Sequence, residues 1–78
     1  MDKTEQIKKL KELIKRIERA SGELQGLEID VMGVLDEIDF RKVSHSNLDV
    51  IQRLNNVKYI LEERLKYLQE SNENTLSN

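Results

Sequence analysis

Cysteine, proline and tryptophan are absent from this chain, and its aromatic residues are one phenylalanine and two tyrosines. Without cysteine there can be neither a disulfide nor a thiolate metal ligand. Without proline, no residue forbids a long helix. No apolar run approaches the roughly 18–20 residues that span a bilayer. The opening residues, MDKTEQIKKL, lack the apolar core of a signal peptide. The expected location is therefore cytoplasmic. A single histidine and only three glycines complete the list of scarcities.

What is present is charge and aliphatic side chain. Charged residues make up 36% of the 78 positions, and Leu, Ile, Glu and Lys favour helix. The many Lys, Asn and Ile residues point to an AT-rich bacterial or phage gene. A chain of this length forms one domain and gains little from a single-chain core, so close helix packing or self-association must supply stability. Net charge is −2, unevenly spread. Residues 1–20 balance at +3, residues 21–40 at −6 and residues 41–78 at +1. Such blocks suit a charged partner or a second copy of the chain.

The first apolar stripe reads Ile7, Leu10, Ile14, Ile17, Ala20, Leu24, Leu27, Val31, Val34, Ile38. Its steps alternate between three and four, with two successive threes around Ala20. That irregularity is a stammer, beside Ser21 and Gly22. The second stripe reads Val50, Ile51, Leu54, Val57, Leu61, Leu65, Leu68. Between them lies VSHSN, where Ser46 followed by Asp49 resembles a helix N-cap. The spacing predicts an all-α fold, with helix 1 at about 3–42 and helix 2 at about 46–71. Residues 1–71 form the single domain, and the polar tail, 72–78, frays.

On these boundaries helix 1 would be about 60 Å long and helix 2 about 38 Å. The overhanging start of helix 1 would then expose Ile7, Leu10, Leu13, Ile14 and Ile17, at a cost of ~1.5–3 kcal/mol each. An antiparallel crossed homodimer would cover them. The alternative is a monomeric three-helix bundle with a turn at Ser21-Gly22.

Plotted on a helical wheel, Gly22, Gly26 and Gly33 share one stripe opposite the apolar seam, together with Ile29 and Phe40. A glycine costs ~0.8–1 kcal/mol relative to alanine inside a helix, so the stripe is a candidate docking surface. Its residues are Gly26, Ile29, Gly33 and Phe40, rimmed by acidic groups that include Asp36 and Glu37. Tyr59 and Tyr67 on helix 2 are further candidates for partner contact.

Catalytic chemistry has little to work with. His45 sits between two serines in the expected turn, and no second imidazole exists to build a relay or a di-metal bundle. The glycines lie in a helical pattern and form no phosphate-binding loop. Neither enzyme activity, metal nor cofactor is expected. The expected role is a protein–protein interaction module, such as a small adaptor, co-chaperone or phage-type inhibitor, acting through helix surfaces on another protein. One alternative is a small nucleic-acid-binding regulator using Lys8, Lys11, Lys15 and Arg19, a basic row that could follow phosphates. Against it, Glu5 and Glu12 are spaced to pair with Lys9 and Arg16 beside that row, and no aromatic side chain interleaves it. Another is a small-ligand binder at an oligomer interface.

Overall fold

The computed structural model describes residues 2–77, with side chains described through Ser71. The polar tail assigned to 72–78 lies outside the residues whose side chains are described. The fold is an antiparallel helical hairpin of α1 (Lys3–Val31) and α2 (Glu37–Ser77), packed against each other along their length. Its longest dimension is 62 Å, the length that 41 residues of α-helix reach at 1.5 Å per residue.

Both helices begin on an aspartate. Asp2 accepts the Glu5 N–H at 2.8 Å, and Asp36 accepts the Asp39 N–H at 2.8 Å. Each cap satisfies one of the N–H groups left open in a first helical turn. The turn between them is Met32 to Asp36. Val34 and Leu35 both donate to the Val31 carbonyl there, at 3.0 and 3.1 Å. All described residues keep negative φ, Gly33 included.

This turn corrects the sequence expectation by about ten residues. The segment 37–45, assigned above to the end of helix 1, is the start of α2. VSHSN lies within α2, so Ser46 is no cap and His45 is an exposed helical residue. Ser44 and Asn47 are polar because they bond across to α1. The Ser44 hydroxyl donates to Glu28 Oε1 at 2.6 Å, and Asn47 Nδ2 donates to the Leu24 carbonyl at 3.0 Å. Asp36, Glu37 and Asp39, which the expected bounds of 3–42 would put near the C-terminus of helix 1, instead open α2, where the helix dipole favours negative charge.

The packing seam also differs from the expected stripe. On α1 it runs Ile7, Leu10, Ile14, Ile17, Ser21, Leu24, Glu28, Val31. On α2 it runs Phe40, Ser44, Asn47, Ile51, Leu54, Lys58, Leu61, Leu65, Leu68. Every one of these residues is buried or half-buried. Steps of three and four alternate without interruption, the knobs-into-holes spacing of a coiled coil. There is no stammer, because Ser21 and Glu28 occupy the seam while Ala20 and Leu27 stand beside it. A turn at Ser21-Gly22 is ruled out, since α1 is continuous through both residues.

The best-covered apolar side chains, Leu10, Ile14 and Leu68, lie toward the open end of the hairpin. The turn half of the seam carries Ser21, Glu28, Ser44 and Asn47 instead. Lys58 reaches out of the seam to Glu18 at 3.6 Å, its aliphatic stem covering the apolar row. At the open end, Lys3 Nζ donates to Ser71 Oγ at 3.1 Å. With the turn moved to 32–36, α2 is long enough to cover Ile7, Leu10 and Ile14 itself. The overhang that called for a crossed dimer does not arise.

Candidate functional site

Seen along the seam, the hairpin has two flanks of opposite character. In an antiparallel pair, the residues immediately preceding seam positions Ile7, Ile14, Ser21 and Glu28 fall on the same side as those preceding Ser44, Ile51, Lys58 and Leu65. On α1 that side carries Gln6, Leu13, Ala20 and Leu27. On α2 it carries Val43, Val50, Val57 and Arg64. The opposite flank carries Thr4, Lys11, Glu18 and Gln25 on α1, with Arg41, Leu48, Asn55 and Glu62 on α2. One flank is thus an apolar ribbon and the other is polar apart from Leu48.

The ribbon is incompletely covered. Leu13 keeps 37% of its surface exposed, Leu27 49%, Val50 44% and Val57 47%. It continues on α2 through Ile60 and Tyr67, both more exposed still. There the Arg64 guanidinium lies 5.6 Å from the centre of the Tyr67 ring, within cation–π range. Ile60, Glu63, Arg64 and Tyr67 line a shallow open groove at this end. A helix that buries its seam and adds one apolar flank has the wide stripe of a bundle helix touching two neighbours. Here each helix has only one.

The structure scatters the residues that the sequence grouped on one stripe. Gly26 and Ile29 lie on the outer side of α1, Gly33 is in the turn, and Phe40 belongs to the seam row of α2. A single docking stripe through all four required one unbroken helix, and the helix ends at Val31. Asp36 is the α2 cap, and Glu37 pairs with Arg41 at 2.7 Å on an exposed surface. Tyr59 lies toward the polar flank. Of the nominated partner-binding residues, only Tyr67 lies on the ribbon. Lys8, Lys11, Lys15 and Arg19 are all exposed, on the side of α1 away from it. Ile29, Met32, Val34 and Ile38 are exposed around the turn.

Sequence reasoning missed Leu13 as a surface, and it assigned Ala20, Leu27, Val50 and Val57 to the apolar stripes of the seam. The available signal was the surplus of apolar positions over a strict heptad. Val50 beside Ile51, and Leu13 beside Ile14, are each one residue more than the seam needs.

No neighbour explains the glycines. A Cβ added at Gly22, Gly26 or Gly33 would meet nothing within 4 Å. Gly22→Ala and Gly26→Ala should each raise stability by about 0.8–1 kcal/mol through helix propensity. Chemical denaturation of the single variants checks this. A loss of stability at either site would show that something outside this hairpin approaches the backbone there.

Among the described residues, no group of three or more His, Cys, Asp or Glu side chains is placed to hold a metal ion. Nor is any helix there long and apolar enough to cross a membrane. No protein-family model matches the chain, and neither a curated protein nor a solved structure shows significant similarity to it.

Proposed function

We propose that the protein is a non-enzymatic protein–protein interaction module, and that its working surface is the apolar ribbon of Leu13, Ala20, Leu27, Val50 and Val57. The observation that carries this reading is the contrast between the two flanks of one seam. A hairpin that functioned alone would carry polar residues on both. Apolar side chains that recur every seven residues along one flank, in register on both helices, match a surface that a helical partner covers. Ile60 and Tyr67 extend it with area that interfaces favour.

The test compares two pairs of lysine substitutions. Leu27→Lys with Val57→Lys places charge on the ribbon. Gln25→Lys with Asn55→Lys adds the same groups to the polar flank. Crosslinking and sedimentation should show that the ribbon pair loses the chain's protein complexes and that the polar-flank pair keeps them. Helicity by circular dichroism identifies any variant that fails to fold. Complexes that survive the ribbon pair undiminished reject the proposal.

A second reading rests on Lys8, Lys11, Lys15 and Arg19, which are exposed together and make no ion pair with a described residue. Such a row would contact phosphates, and binding to a nucleic acid would then weaken steeply with salt. The net charge of −2 opposes it. A salt titration with duplex DNA or RNA that shows no binding at low ionic strength removes it.

A further inference from the structure

We infer that the occupant of the ribbon is a second copy of this chain, stacked face to face with its turn at the opposite end, so that the dimer is an antiparallel four-helix bundle. The inference rests on the ribbon being the interaction surface, and it names the partner.

Three observations converge. The first is exposure. Leu13, Leu27, Val50 and Val57 keep 37%, 49%, 44% and 47% of their surface open along one flank of both helices, and Ile60 and Tyr67 keep 64% and 62%. A second hairpin laid on that flank covers the row on α1 and the row on α2 together.

The second is the symmetry of the ribbon. In the proposed stack, α1 of one copy lies along α1 of the other in the reverse direction. Leu13, Ala20 and Leu27 are spaced by seven and centred on Ala20. Reversing the helix about Ala20 lays Leu13 on Leu27 of the second copy and Ala20 on itself. The smallest side chain of the row thus falls on the two-fold axis, where the helices come closest. On α2 the same operation lays Val50 on Val57.

The third is charge. The rim of the ribbon on α1, also spaced by seven, reads Lys9, Arg16, Glu23, Asp30. All four are exposed, and none makes an ion pair with a described residue. The reversal that superposes the apolar row sets Lys9 against Asp30 of the second copy and Arg16 against Glu23. The apolar pattern is symmetric, and the charge pattern changes sign, about nearly the same point. The whole hairpin repeats this polarity. Residues 21–56, the half nearest the turn, carry a net −4, and the remainder carries +2. Stacking with both turns at one end would superpose the two −4 halves, a repulsion that selects the reversed orientation. Arg53, on the α2 rim near the axis, keeps its own Asp49 at 3.6 Å.

Sedimentation equilibrium over a range of concentrations tests this. The chain should reach twice its 9.2 kDa mass. Lys9→Glu with Arg16→Glu should weaken dimerisation about tenfold or more at low salt, because four rim attractions per dimer become repulsions. Adding Glu23→Lys and Asp30→Lys to that variant should restore the dimer, which separates lost pairing from lost folding. Lys42→Glu with Lys66→Glu, the same change of net charge away from the rim, should leave the mass unchanged. A helical chain that stays monomeric at high concentration overturns the inference, and the lysine test of the ribbon against other proteins then stands on its own. A dimer indifferent to the rim reversal, or a fourfold variant that does not recover, also overturns it.

Discussion

Ile14→Ala or Leu10→Ala unfolds most of the hairpin at room temperature. Leu10, Ile14 and Leu68 are the well-buried apolar side chains, and Leu10 and Ile14 stand one turn apart on the row that α2 covers. Truncating a buried Leu or Ile costs ~2–5 kcal/mol through lost transfer energy and the cavity left behind. A single-domain chain of this size holds only a few kcal/mol in total. Loss of helical circular dichroism in the variants, or a transition shifted to much lower denaturant, is the expected readout. Leu13→Ala, one residue away on the half-exposed flank, should cost less within a single hairpin and should make stability less dependent on protein concentration. If the two classes of variant lose equal stability at high dilution, the seam assignment is wrong.

Ser46→Pro should destabilise the chain by about 3 kcal/mol or more, whereas Glu37→Pro should change it by less than ~1 kcal/mol. Ser46 lies in the interior of α2. A proline there removes a helical hydrogen bond, and its ring strikes the preceding turn. Glu37 is the first residue of α2, directly after the Asp36 cap, where proline's fixed φ suits the helix and its missing N–H had no intrahelical acceptor. The variant loses the exposed Glu37–Arg41 pair, which contributes a few tenths of a kcal/mol. Melting temperatures separate the two cases, since ~3 kcal/mol moves the midpoint of a domain this size by more than about 10 °C. A turn at VSHSN reverses the ranking.

That comparison bears on what was legible in the sequence. Two long helices were, because no proline interrupts the chain and the aliphatic positions recur at three and four. The rows Ile7–Ile17 and Leu61–Leu68 were read in the correct phase, while Val57 was taken for the seam position that Lys58 holds. The turn was not. Gly33 followed by Asp36 and Asp39 is a stop signal with a cap behind it. Val34 and Ile38, however, continue the apolar period across the break, while Ser44, Ser46 and Asn47 imitate a loop. Ser44 and Asn47 contact Glu28 and Leu24, residues 16 and 23 positions away. A local pattern cannot show that polar side chains have partners at that distance. Misplacing the turn then carried every surface with it. The glycine stripe was drawn on a helix that ends before Gly33, and Ala20, Leu27, Val50 and Val57 were counted with the core rows when they form the flank. The opposed charges of residues 1–20 and 21–40 were legible from the start. Their consequence for the rim appears only once Leu13, Ala20 and Leu27 are known to face outward.

The account depends above all on where the hairpin turns. Because the chain lacks cysteine, spin labels can be attached at Lys3→Cys and Ser71→Cys without further change, and their separation measured in labelled chain diluted with unlabelled chain. Lys3 and Ser71 touch across the open end of the hairpin, so a single short distance is expected, set by the ~8–10 Å between packed helix axes and the length of the labels. A turn near residue 44 would slide α2 along α1 and lengthen that distance by about 20 Å. The longer value, or loss of the short one on dilution, contradicts the hairpin described here.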